Sequence, residues 1–211
     1  MASTDSAADT APVQEGRIRW RRFAATALTA GALSAGMVFL TAQGVLAAQF
    51  YISGIPFTVT ADKLTGTGFE QFAAIDEMAP GSPNAGDTGG QVVVIVSAIH
   101  RAELINLCQS ISMGGINMKI TAGTAPGRPV KARNLVVDSD DITGNASFDN
   151  IDIGQDASTL DKVPGVRGNL GVFGQQADTV EITNLRQHNY ATTAAAFTLP
   201  NLRMRFSSTG C

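Results

Sequence analysis

Seven of the ten asparagines in residues 48–211 are followed directly by Leu, Ile or Met: Asn106, Asn117, Asn134, Asn150, Asn169, Asn184 and Asn201. Several stand inside stretches that otherwise alternate apolar and polar residues, and there the alternation slips. The apolar positions run Phe148, Ile151, Ile153, then Ile182, Leu185, then Leu199, Leu202, Met204. A period of two interrupted by a step of three marks a bulge or corner that turns a strand while its apolar side chains stay on one face. Asparagine suits such a corner because it tolerates left-handed backbone better than most side chains. From Leu135 the steps are 16 residues to Ile151, 34 to Leu185 and 17 to Leu202.

Two architectures accommodate that spacing. Short strand units could stack as a β-solenoid, each asparagine forming a corner. Alternatively, long antiparallel strands could bend at the asparagines into a curved sandwich or half-barrel with an apolar trough. The even spacing favours stacked units. Either way the domain is mainly β. "IPFTVTADKL", "QVVVIVSAI", "INMKITAG", "NASFDNIDIG", "DTVEITNL" and "TLPNLRMRF" read as strands, the second buried on both faces. Residues 79–90, 121–129 and 163–174 are rich in Gly and Pro and read as turns. Only "HRAELINLCQS" is ambiguous between strand and helix. An inner trough would draw on Phe148, Phe173, Phe197, Leu199 and Leu202.

The first residues have a different composition. Residues 1–22 are polar and end in four arginines within "RIRWRR", and residues 23–47 carry no charge. A basic cluster, an apolar run and a small-residue end compose an export signal, with cleavage expected between Ala47 and Ala48. The alternative is an uncleaved anchor, since the run is long enough to span a bilayer. Residues 48–211 then form one exported domain. They hold 11 basic and 15 acidic residues, a net charge of −4. That balance argues against nucleic acid as a partner, which needs a basic face.

Export gives the two cysteines a role. Outside the cell an even count reads as bridges, and two cysteines allow one pairing, Cys108 with Cys211. Closing so long a loop stabilises by roughly 4 to 5 kcal/mol in the chain-entropy model.

Four stretches, "FTVTADKLTGTGFEQF", "LINLCQSI", "ARNLVVDSDDITGNASFDNIDIGQDASTLDK" and "GVFGQQADTVEITNLRQHNYATTAAAFTLPNL", resemble a family of small exported actinobacterial proteins often labelled cholesterol esterases. The resemblance implies an exported β-rich protein of the cell surface and, by label, hydrolysis of sterol or other lipid esters. It brings no catalytic motif that transfers residue by residue.

The residues supply weak catalytic candidates. Residues 48–211 contain no Gly-x-Ser-x-Gly elbow. In a triad His188 is the first base to try, with Asp149 or Asp152 to orient it and Ser147 as nucleophile. The aspartates between Asp138 and Asp156 offer oxygen to a cation but lack the spacing of a calcium loop, and no metal or cofactor is expected. The partner reading is a lipid, a membrane or the cell envelope. Two classes follow: an esterase, or a non-catalytic lipid-binding or structural surface protein.

Overall fold

The computed structural model describes residues 51–211; the basic cluster, the apolar run and the Ala47/Ala48 cleavage point lie outside the described residues. Nine strands follow one another: β1 Phe57–Glu77, β2 Gln91–Ile105, β3 Leu107–Ser112, β4 Asn117–Ala122, β5 Val130–Asp149, β6 Asp152–Asp156, β7 Phe173–Thr193, β8 Ala196–Thr198 and β9 Arg203–Ser207. The ambiguous segment is strand, divided between β2 and β3.

Every pairing between these strands is antiparallel. That excludes the stacked coils of a solenoid, whose successive turns pair in parallel, and the curved sandwich or half-barrel holds. The four longest strands pair in a circuit, β1 with β2, β2 with β5, β5 with β7 and β7 with β1. The single sheet is therefore ring-like without being a barrel. Beyond the ring it continues from β1 through β3 and β4 to β9.

The asparagines explain how such long strands close on themselves. Asn106, Asn134, Asn150, Asn184 and Asn201 have left-handed backbone, with φ between 47° and 56°. The register lines them up into two creases. In the first, Asp62 lies opposite Asn106 on one side and Asn184 on the other, between the pairs Lys63↔Ile105 and Thr60↔Cys108 and between Ala61↔Leu185 and Lys63↔Thr183. Gly123 extends this line, its carbonyl accepting from Asn106 N–H (3.1 Å) and its N–H donating to Pro200 (2.8 Å), beside Asn201. In the second, His100 lies between Asn134 and Gly68, and Gly68 faces Asp178 beyond it.

Side chains fasten both lines across the strands. Asn106 donates to Asp62 (2.5 Å), Asn150 donates to Asp178 (2.7 Å), and His100 Nδ1 lies 2.8 Å from Asn134 Oδ1. Each crease leaves two consecutive residues facing outward, so the inward positions change parity. On β1 they are Val59 and Ala61, then Leu64, then Phe69 and Gln71; on β7 they are Leu185 and Gln187, then Val180 and Ile182, then Ala177 and Gln175. The inward side chains form the main core, including Val59, Leu64, Phe69, Ile99, Leu104, Val180 and Leu185.

A second core lies outside the ring. Phe72, Val94 and Val96 face outward and are covered by Ala157 and Leu160, both fully buried, from a strap that spans residues 157–172. The strap dictates one corner. A Cβ on Gly68 would stand 2.5 Å from the Lys162 carbonyl oxygen, so the second crease crosses β1 at a glycine, with φ +67°. β2 is buried on both faces only over Val96–Ile99, and Val93 is 70% exposed.

Candidate ligand-binding cavity

The creased strands leave a cavity of about 280 Å³ between them. Its wall is mostly aliphatic and aromatic: Val59, Leu64 and Phe69 from β1, Ile99 and Leu104 from β2, Leu135 and Phe148 from β5, and Ile182 from β7. Ile95 (37% exposed) and Phe197 (41%) also line it, so the space reaches the surface. Of the trough residues expected from the sequence, Phe148 and Phe197 line it and Leu199 packs on the main core. Phe173 and Leu202 do not line it and are 61% and 51% exposed: Phe173 begins β7 opposite Asp156 of β6, and Leu202 lies just before β9.

Polar atoms enter the wall at a few points. Gln71 donates to Ser97 (2.9 Å) and accepts from Gln175 (2.6 Å), which satisfies that group internally. Asn189 does not share this arrangement. It is 1% exposed, it lies in register with Phe57 and Ser139, and both its amide nitrogen and its amide oxygen are buried with no partner in the protein. Leaving such a group unanswered costs on the order of 1 to 3 kcal/mol. An amide with one free donor and one free acceptor, facing an apolar hollow, can orient a hydroxyl, a carboxyl or an ester carbonyl.

Three acids lie on the outer face, Glu70 buried and Asp138 and Asp76 half-buried. Glu70 is fully buried beneath the strap and accepts from Val163 N–H (2.6 Å), while its second oxygen has no partner. Burial raises its pKa to about 7, opposed by the hydrogen bonds from Val163 and Lys162. Asp138 is also pushed up to about 7, by burial and then by the neighbouring Asp76. Asp76 is itself raised by burial.

The catalytic candidates are dispersed. His188 Nδ1 lies 2.7 Å from Asp140 Oδ1, not against Asp149 or Asp152. Ser147 pairs with Glu181 and His188 with Asp141 on the same ladder, seven residues apart along β7 or about 20 Å. Asp149 accepts from Thr179 (2.5 Å), and Asp152 accepts from Gln155 (3.1 Å). Thr58 is the hydroxyl directly opposite His188. Its strand is paired on both edges there, to β3 and to β7, so the ladders use the backbone N–H groups that an oxyanion hole would need. Among the described residues no cluster of three or more His, Cys, Asp or Glu could hold a metal ion.

The most distinctive motif of the sequence fastens the strap. In "NIDIGQDASTLDK", Asp156 accepts from the Ser158 hydroxyl (2.7 Å), Ser158 N–H (2.9 Å) and Gly171 N–H (2.8 Å), and these bonds hold its carboxyl below the usual range. In "FGQQAD", Gln176 accepts from Asp161 N–H (3.0 Å), and Asp178 pairs with Lys162 (2.7 Å). The motif therefore records packing, and the residues with unmet polar groups lie elsewhere. Asn189 gave no signal in the sequence, because an asparagine after a histidine on an alternating strand looks exposed. Only the parity change at the first crease turns it inward.

Cys108 and Cys211 form a disulfide with Cα atoms 5.9 Å apart, tying β3 to the segment after β9. The bond fits an extracellular setting. Among the described residues no helix is long and apolar enough to cross a membrane.

These features define a class: a disulfide-stapled antiparallel β domain whose creased sheet encloses an apolar cavity. The chain belongs to the family of unknown function DUF6230, whose model matches residues 53–211. No curated protein and no solved structure matches the chain.

Proposed function

We propose that this is an exported, non-catalytic lipid-binding protein of the cell surface, which holds one apolar chain in the ring and orients its polar end at Asn189. The observation that carries this reading is the unpaired, buried Asn189 amide in a mostly apolar wall. At about 280 Å³ the hollow is slightly smaller than the 300 to 1,000 Å³ typical of drug-sized ligands. It is therefore sized for an acyl tail and not for a whole sterol ester. The resemblance to proteins labelled cholesterol esterases supports contact with lipid esters. The distance from His188 to Ser147 and the paired backbone around Thr58 favour binding over hydrolysis.

The test is titration of the purified protein with a fluorescent fatty acid, beside an assay of cholesteryl-ester and short-chain ester turnover. Saturable binding without turnover is the expected result. Turnover that survives repurification and is lost in His188→Ala with its melting curve intact would replace this reading with the esterase one. No saturable binding of any acyl probe would remove it.

A further inference from the structure

We propose that the sheet extension β3–β4–β9 docks on an anionic phospholipid bilayer, with the β3–β4 hairpin tip inserted. The inner face of the ring does not stop at the ring. The inward rows continue from Val59 through Gln109 and Ile120 to Met204, and from Phe57 through Ile111 and Met118 to Phe206. Within the ring Val59 is buried and Phe57 partly so, but Met204 and Phe206 at the far edge are 59% and 65% exposed. Gln109 also lines the cavity, so the uncovered face adjoins the hollow at that residue.

The hairpin tip has the same character. Met113 donates to Ile116 (2.8 Å) around Gly114 and Gly115, whose φ values are 68° and 98°. Two glycines with positive φ form the tightest reversal a hairpin allows. They leave Met113 and Ile116 46% and 44% exposed with no charge between them. Uncharged apolar side chains at the tip of a rigid hairpin carry no benefit in water and gain by entering a bilayer interface.

Charge selects the occupant. Strands β3, β4 and β9 carry three cations, Lys119, Arg203 and Arg205, and no Asp or Glu. The remainder of residues 51–211 holds eight basic and fifteen acidic residues. Pairing this extension with the same surface of a second copy would bring like charges together, whereas an anionic lipid surface would attract it. Strand β9 points the same way. Arg203 and Arg205 alternate with Met204 and Phe206 along an edge, and edge cations oppose strand-to-strand pairing with another copy. They also lie within reach of lipid headgroups while the neighbouring side chains enter the interface.

This inference rests on the lipid reading of the cavity, but its test is separate. The purified full chain is sedimented with vesicles of phosphatidylcholine mixed with phosphatidylglycerol, and with phosphatidylcholine alone. Binding is expected to the mixed vesicles and to weaken as salt is raised. The double variant Met113→Asp/Ile116→Asp should lose about tenfold or more in vesicle affinity, because each side chain forfeits its apolar transfer. Its melting temperature and its affinity for a soluble fatty-acid probe should be unchanged. Phe206→Glu provides a second site should the tip variant fold poorly, and Arg203→Ala/Arg205→Ala should reduce the salt dependence. Equal binding to neutral vesicles, or wild-type binding by the tip and edge variants, would assign the attachment to another part of the chain and overturn the proposal. Concentration-dependent dimerisation abolished by Phe206→Glu would assign the face to a second copy instead. Vesicle binding without probe binding would remove the cavity reading and leave the docking surface standing.

Discussion

The outer face at the β6–β7 end and the inner face at the β4–β9 end both carry apolar side chains and treat them in opposite ways. At the β6–β7 end the outer face is sealed. The strap places Ala157 and Leu160 over Phe72, Val94 and Val96, and Asp156, Gln176, Asp178 and Glu70 bind its backbone or its lysine. At the β4–β9 end the inner face has no such cover among the described residues, and Phe206 and Met204 remain largely exposed. The sealed end holds itself by noncovalent bonds alone, and the open end adds to its hydrogen bonds one covalent bond, Cys108–Cys211. The difference separates two kinds of sequence signal. Where a motif is dense with Asp, Asn and Gln, it closes the fold. Where apolar residues are left bare beside cations, the surface has work outside the molecule.

The contrast can be broken most severely at the staple. Cys108→Ser should lower stability by about 4 kcal/mol, given the long loop the bond closes. Because the bond lies at the open end, hydrogen exchange should rise first in β3, β4 and β9 and leave the strap protected. Uniform loss of protection would show that the two ends are one cooperative unit.

Leu160→Ala tests the sealed end. The side chain is fully buried, so its truncation should cost about 3 kcal/mol in a chemical denaturation experiment. The strap should then exchange faster while β4 and β9 do not. A cost below about 1 kcal/mol would mean that the strap collapses around the gap and is not a fixed cover.

A smaller effect comes from Glu70. Its folded pKa is raised from 4.5 to about 7 by burial, so the folded state binds its proton more tightly than the unfolded chain does. The stability this contributes is complete below about pH 4.5, falls as pH rises towards 7 and stays lost above it. The whole span should be about 1 to 2 kcal/mol, allowing for water that reaches the carboxyl when the strap opens. Glu70→Gln keeps an acceptor for Val163 N–H and should flatten that slope. Asp138 titrates over the same range, so part of the slope will persist in the variant. An unchanged slope would place the whole effect on Asp138.

Much of this was legible in the sequence, and the reason is local. Left-handed backbone favours asparagine and glycine, and the shift of phase at Ile182-x-x-Leu185 is the crease itself. The bend could be read because each asparagine carries it alone. The antiparallel pairing could not, since a spacing near 17 residues serves stacked coils and creased strands equally well. β1 hid its creases altogether. It bends at Asp62 and Gly68, responding to Asn106 and Asn184 on its neighbours and to the Lys162 carbonyl above it. The disulfide was fixed by arithmetic. The cavity was not legible, because Gln71, Gln187 and Asn189 turn inward only after the parity of their strands has been set by creases elsewhere. The candidate triad residues are dispersed for a related reason: Ser147 and Asp149 lie about 20 and 30 Å along the ladder from His188.

The central claim is that Asn189 is kept polar for a ligand and not for the fold. Asn189→Leu separates the two, because leucine is similar in size, suits the surrounding wall and removes a buried amide that has no partner. The measurement is a pair of curves on the same variant, thermal unfolding without ligand and titration with a fluorescent fatty acid. The account predicts a melting temperature equal to or above that of the wild type, together with acyl-probe affinity reduced about tenfold through the lost headgroup contact. A variant that melts lower and binds the probe as the wild type does would contradict it, and would make Asn189 a structural residue of β7.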